Sequence, residues 1–92
     1  LLPWQRVAQQ TGALLTFLPV LPDGTLDYEA LPRVVTSRTK LIACSAVSNV
    51  TGAHTDIQTI ITAAHRVGAK VLVDAAQLLA HEQIDITALN ID

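Results

Sequence analysis

Two apolar runs, Leu41 to Val47 and Val71-Leu72-Val73 leading into Asp74, do most to limit what this chain can become. Neither alternates between apolar and polar residues, so each reads as a strand of a parallel sheet covered by helices on both faces. Between them, Ile57, Ile60, Ile61 and Ala64 fall at helical spacing and give one apolar stripe. Thr55-Asp56-Ile57-Gln58 has capping-box spacing at the start of that helix, and Gly68 closes it. Residues 41–74 therefore form one strand-helix-strand unit, with a crossover expected to be right-handed. The fold class is α/β, with a mainly parallel sheet.

The flanking segments are shorter and more irregular. Pro3 suits the first turn of a helix over residues 3–11, with Trp4, Val7 and Ala8 on one face and Gly12 at its left-handed end. Ala13 to Val20 is too apolar to alternate and reads as a strand, stopped by Pro19 and the Pro22-Asp23-Gly24 turn. Asp27 can cap a helix from Tyr28 to about Val35, which Pro32 would kink or delay. Ile84, Ile86 and Leu89 suggest a last short turn of helix against the sheet.

Only 15% of the residues are charged and half are hydrophobic, against roughly 25% charged in an ordinary soluble domain. Ninety-two residues with so few charges are expected to be the interior of a larger protein, an incomplete domain and not a free-standing one. A start at Leu1 and an end at Asp92 fit the same expectation of a fragment. The net charge of −2, with basic residues scattered singly, argues against nucleic acid and membrane surfaces as partners. One cysteine, and no apolar run of membrane-spanning length, make a reducing, cytoplasmic setting the expectation.

Parallel strands end on the same side, so the loop Ser48-Asn49-Val50-Thr51-Gly52 and the segment Asp74-Ala75-Ala76-Gln77 should share one edge, where open α/β sheets bind ligands. One carboxylate and two neutral amides would converge there. That set suits a heteroaromatic ring better than a metal, because no second carboxylate or histidine has a ligand position beside Asp74. A carboxylate facing a pyridine nitrogen keeps it protonated, as pyridoxal-phosphate chemistry requires. The residues alone leave other roles open. Asp74 could simply cap a turn, and Asn49 with Gly52 could serve a non-catalytic module for a phosphate-bearing ligand, although Ser48 to Gly52 is not a glycine-rich fingerprint.

Ser48-Asn49-Val50-Thr51-Gly52, then Val71-Leu72-Val73-Asp74-Ala75-Ala76-Gln77, then His81 and Ile84-Asp85-Ile86, resemble the class V aminotransferase family, most closely its cysteine desulfurases. Pro3-Trp4-Gln5, Thr11-Gly12-Ala13 and Thr39-Lys40-Leu41 match the same proteins in the same order. The resemblance implies that residues 1–92 are the central segment of a three-layer α/β/α large domain of a fold-type-I enzyme that binds pyridoxal 5'-phosphate. It implies that Asp74 pairs with the pyridine nitrogen, that Gln77 and Asn49 lie about the ring oxygen, and that Ala76 packs on one ring face. Ala75 stands where the family commonly has glycine. The Schiff-base lysine is expected beyond Asp92, the ring-stacking histidine before Leu1 and the sulfur-accepting cysteine much later, so no catalytic residue and no metal ligand is expected within 1–92. The implied reaction releases sulfur from L-cysteine to give L-alanine, in a homodimer that serves a sulfur-acceptor protein; transaminases, lyases and epimerases of the class share the same segment. In that family the strand matching Leu14–Leu18 does not pair with the one matching Leu41–Val47.

The remaining reactive side chains have plainer readings. Cys44 lies mid-strand among apolar residues and reads as an inert buried thiol. His65 is expected to pack or cap on the apolar side of its helix, and His81 to be structural. His54 lies in the loop beside the site with nothing to fix its direction. Lys40 and Lys70 open their strands and read as solvated.

Overall fold

The computed structural model describes all 92 residues. Helix α1 (Leu2–Thr11) carries Pro3 in its first turn, where a missing N–H costs nothing, and ends on Gly12 at φ 74°, whose N–H donates to the Ala8 carbonyl. Trp4 and Ala8 are half-buried and Val7 is exposed, so its apolar face is only partly covered. A 3-10 turn, Tyr28–Ala30, leads directly into α2 (Leu31–Val34), and Asp27 accepts the Ala30 N–H at 3.2 Å. The single helix expected from Tyr28 is thus divided in two. In a continuous helix the Pro32 ring would meet the Tyr28 carbonyl; placed in the first turn of α2 it meets no such obstacle.

Strand β1 (Leu41–Ser45), helix α3 (Ile57–His65) and strand β2 (Lys70–Asp74) form the expected unit. The strands pair in parallel, with Leu41 opposite Lys70 and Ser45 opposite Asp74. Lys70 N–H donates to the Lys40 carbonyl and Ala46 N–H to the Asp74 carbonyl, so even-numbered residues carry the ladder. Odd-numbered residues direct their backbone polar groups to the outer edges. β1 stops two residues short of the expected Val47, because Val47 turns away into an antiparallel bridge with His54. The cap of α3 is also displaced by one residue: Asp56 accepts the Thr59 N–H at 3.0 Å, while Thr55 donates its hydroxyl to the Ser45 carbonyl at 2.7 Å. At the other end Ala69 N–H reaches back to the Ala64 carbonyl across Gly68, which closes the helix as its sequence suggests.

Ile60, Ile61 and Ala64 of α3 pack on Val71, Ala69 and Leu31. Ile60 and Val71 are 1% and 2% exposed, and burial of a side chain of that size contributes about 1.5–3 kcal/mol. α4 (Ile86–Leu89), capped by Asp85, adds Leu89 and then Ile91 to the edge of this core. Only nine residues are buried, enough for one face of the sheet. The other face leaves Leu41 43% and Leu72 48% exposed. Both strands therefore have the composition for two helical layers, of which this chain supplies one.

The strand expected over Ala13 to Val20 does not form. Residues 13–19 carry no ladder, and only Val20 makes an isolated antiparallel bridge, to Leu26 across the Pro22-Asp23-Gly24 turn. A strand exists only where a neighbour takes its backbone groups, and the two-stranded sheet of β1 and β2 offers this segment none. The expected lack of pairing between Leu14–Leu18 and β1 is what the structure has. Leu14 is 83% and Phe17 61% exposed as a result.

Candidate functional site

β1 and β2 end side by side, which places Asp74 directly across the ladder from Ser45. Asp74 Oδ1 accepts the Ala76 N–H at 3.0 Å, a turn that folds Ala75 to Gln77 back over the strand end and leaves the second carboxylate oxygen open. Asn49 comes from the loop after β1. The Ser48 hydroxyl oxygen accepts the N–H groups of Val50 and Thr51, both at 3.2 Å, and the Ser48 carbonyl accepts the Gly52 N–H at 3.0 Å. Gly52 takes φ 71°, the conformation its lack of a side chain favours. Across the base of the loop, Ser48 N–H donates to the Ala53 carbonyl at 2.9 Å.

From outside, the Pro22-Asp23-Gly24 turn supports this loop. Asp23 Oδ1 accepts both the N–H and the hydroxyl of Thr25, at 2.9 and 2.7 Å, and these bonds, the hydroxyl's first, hold the Asp23 carboxyl below its usual range. Gly24 abuts Thr51 so closely that a Cβ placed on it would lie 3.1 Å from Thr51 Cγ2.

Asn49, Asp74, Ala76 and Gln77, the four residues singled out in the sequence, line one crevice of about 160 Å3 together with Ser45 and Val47. Asp74 is the one charge in this lining, and the Asn49 and Gln77 amides make no hydrogen bond within the chain. A carboxylate with an open oxygen, two uncommitted amides and a small methyl group fit the edge and face of a planar heteroaromatic ring with a protonated nitrogen. They hold too few charged or imidazole ligands for a metal site, and nowhere in the chain do three His, Cys, Asp or Glu side chains converge as metal ligands. Ser45 and Val47 were not evident beforehand. The signal for Ser45 was the register: counting back from Asp74 and from the strand's first residue makes it the cross-strand neighbour.

A larger hollow, about 500 Å3, lies between α2 and α3 and includes Tyr28, Leu31, Val35, Thr59 and Ala63. Its one permanent charge is Arg66, and it contains none of the residues at the strand ends. Chemistry therefore points to the smaller crevice.

The other candidates lie away from it. Cys44 is half-buried and not fully buried as expected, and burial pushes its thiol up from the ordinary value. His65 Nε2 and Lys70 Nζ both contact the Asp92 carboxylate, at 3.0 and 2.6 Å, and Val71 N–H donates to it at 3.0 Å. The Lys70 bond first, then that of His65, holds the Asp92 carboxyl well below the usual carboxylate range. Lys70 is exposed, as expected, but is paired and not merely solvated. This cluster sits at the start of β2, the opposite end from Asp74. His54 and His81 are exposed, His54 beside its bridge to Val47 and His81 in the turn after Leu78.

The chain has close relatives among known proteins. It is 46% identical to a cysteine desulfurase of Cronobacter sakazakii and 45% identical to one of Escherichia coli K12, in each case over all 92 residues and 23% of the relative's length. Its structure matches that of the cysteine desulfurase CsdA (S-sulfonic acid) from Escherichia coli with a TM-score of 0.94 at 42% identity, and that of an apo cysteine desulfurase from Thermococcus onnurineus NA1 with a TM-score of 0.91 at 34% identity. Each superposition covers the whole chain and 23% of the other. The chain thus spans about a quarter of the length of the proteins it matches. The family described as aminotransferase class-V matches residues 1–92, so the chain belongs to the class V aminotransferase family.

Proposed function

We propose that residues 1–92 are the central segment of the pyridoxal-phosphate-binding large domain of a cysteine desulfurase, which releases sulfur from L-cysteine and leaves L-alanine. The observation that carries this reading is the convergence of Asp74, Asn49, Gln77 and Ala76 on one crevice, in a chain 46% identical to a cysteine desulfurase. When bound, pyridoxal phosphate supplies the electron sink that allows a bond at the amino acid's Cα to break. The residues of this chain bind and orient the ring. The open oxygen of Asp74 would accept a hydrogen bond from the ring nitrogen and hold the proton there, because the charged pair is favoured over the neutral one. Gln77 and Asn49 would hold the ring's phenolic oxygen with their amide N–H groups, and Ala76 would hold one face of the ring.

The amine that holds the cofactor covalently is assigned to another part of the protein. Lys40 and Lys70 stand at the starts of the strands, and Lys70 is already paired with Asp92. With β2 rising about 3.3 Å per residue, Lys70 lies roughly 13 Å from Asp74, beyond a lysine's reach through the packed sheet. In this reading the protein acts as a homodimer in the cytoplasm, takes an amino-acid substrate and hands its sulfur to an acceptor protein. No helix here is long and apolar enough to cross a membrane.

Asp74→Ala in the full-length protein tests the assignment. Turnover of L-cysteine should fall about 100-fold or more while the cofactor stays bound, since the group that stabilises the developing charge is gone but the fold is not. Near-normal turnover with full cofactor would remove Asp74 from this role. With a thiol reductant present to reduce the released sulfur, alanine and sulfide should form in equal amounts; conversion of a different amino acid alone would place the protein with another activity of its class.

A further inference from the structure

We propose that Thr55 is a positioning residue: its hydroxyl and backbone amide fasten the Asn49 loop to the end of β1 and so hold Asn49 in place relative to Asp74. The proposal rests on the reading that the crevice takes pyridoxal phosphate. Asn49 and Val50 are exposed, Val50 by 86%, so apolar packing reaches this loop only at Thr51, against Gly24. The Asn49 end depends on the hydrogen bonds at the loop's base. Two of these come from Thr55, whose N–H donates to the Ala46 carbonyl at 2.8 Å and whose hydroxyl donates to the Ser45 carbonyl at 2.7 Å. Ala46 is 1% exposed, and its own N–H donates to the Asp74 carbonyl at 2.8 Å. A continuous bonded path therefore runs from Thr55 through Ala46 to Asp74, the residue across the crevice from Asn49.

The hydroxyl adds a second bond beside this path, to the Ser45 carbonyl, and it is the bond that a substitution can remove. The Ser45 carbonyl belongs to the odd-numbered set that faces the outer edge of β1, where no strand takes it, and the Thr55 hydroxyl is its partner. Thr55 is free for this because Asp56, not Thr55, caps α3. A valine at this position would keep the branched shape and lose the donor, whereas a serine would keep the donor.

The full-length protein, as Thr55→Val and as Thr55→Ser, decides the matter. Loss of the bond in Thr55→Val should speed amide exchange at Ser48 and Thr55 about fivefold, the size expected for one net hydrogen bond, and weaken pyridoxal-phosphate binding by a similar factor. Thr55→Ser should restore both. In an Asn49→Ala background Thr55→Val should weaken cofactor binding no further, because the group it positions is already absent. Unchanged exchange in Thr55→Val, or an equal further loss of affinity in the Asn49→Ala background, would overturn the proposal. Exchange needs no ligand, so it judges the fastening separately. A wild-type protein that takes up no pyridoxal phosphate would instead overturn the functional reading.

Discussion

Replacing Gly24 by alanine tests whether the Pro22-Asp23-Gly24 turn really braces the Asn49 loop. Gly24 has φ 86°, where an L-residue is disfavoured by about 1–2 kcal/mol. Its new Cβ would also lie 3.1 Å from Thr51 Cγ2 and 3.3 Å from Thr51 Cβ and Oγ1, and relieving such overpacking costs about 1 kcal/mol more. Gly12 supplies the control, since it has a similar φ of 74° but nothing within 4 Å of its Cβ position. In the full-length protein Gly24→Ala should therefore cost about 2–3 kcal/mol and Gly12→Ala about 1–2 kcal/mol, read from urea midpoints at unchanged slope. Thr51→Ser removes the nearest atom while keeping the hydroxyl that accepts the Ala53 N–H. Combined with Gly24→Ala, it should recover about 1 kcal/mol as a coupling energy. Equal costs at the two glycines, or strict additivity with Thr51→Ser, would show that the turn and the loop are not in contact.

Two further outcomes follow from side chains already described. Asp56 accepts the Thr59 hydroxyl at 2.7 Å and its N–H at 3.0 Å, and these bonds, the hydroxyl's first, hold its carboxyl below the usual range. Asp56→Ala should therefore cost about 1 kcal/mol at neutral pH. The stabilisation is fully present above the unfolded carboxyl value of about 3.9 and lost as pH falls through the lower folded value, so the wild type should lose its advantage over Asp56→Ala in acid titration below about pH 4; an advantage that persists in strong acid contradicts this. Incubation with pyridoxal phosphate followed by borohydride reduction should label neither Lys40 nor Lys70, and stoichiometric labelling of either, mapped by peptide analysis, would put the ring at the wrong end of the sheet.

The parts of this fold legible in the sequence are those whose partners lie nearby along the chain. The two apolar runs, the Ile57 to Ala64 stripe and Gly68 suffice to define the strand-helix-strand unit, and parallel pairing then brings Asn49 to Asp74 without further information. Ala13 to Val20 has strand composition, yet composition cannot supply a neighbour, and the segment stays unpaired. The cap at Asp56 was misplaced by one residue because Thr55 and Asp56 are both good caps; the choice turned on a carbonyl at Ser45, which lies outside the helix altogether. The Asp92 contacts with His65 and Lys70 span 27 and 22 positions in sequence and follow no periodicity. Within the site, Asp74, Ala76, Gln77 and Asn49 could be named beforehand, whereas Ser45 required the strand register.

Asp92 has one more consequence. Val71 and Val73 direct their N–H groups to the open edge of β2, and a carboxylate oxygen of Asp92 already occupies the first of them. That oxygen does the work of a strand carbonyl without belonging to a strand. A polypeptide laid along this edge finds the Val71 N–H already taken and meets the Val73 N–H, one residue from Asp74, still open. A single side chain thus acts as a peg at one end of the edge, and the free N–H that a new neighbour can meet lies at the end where the crevice is.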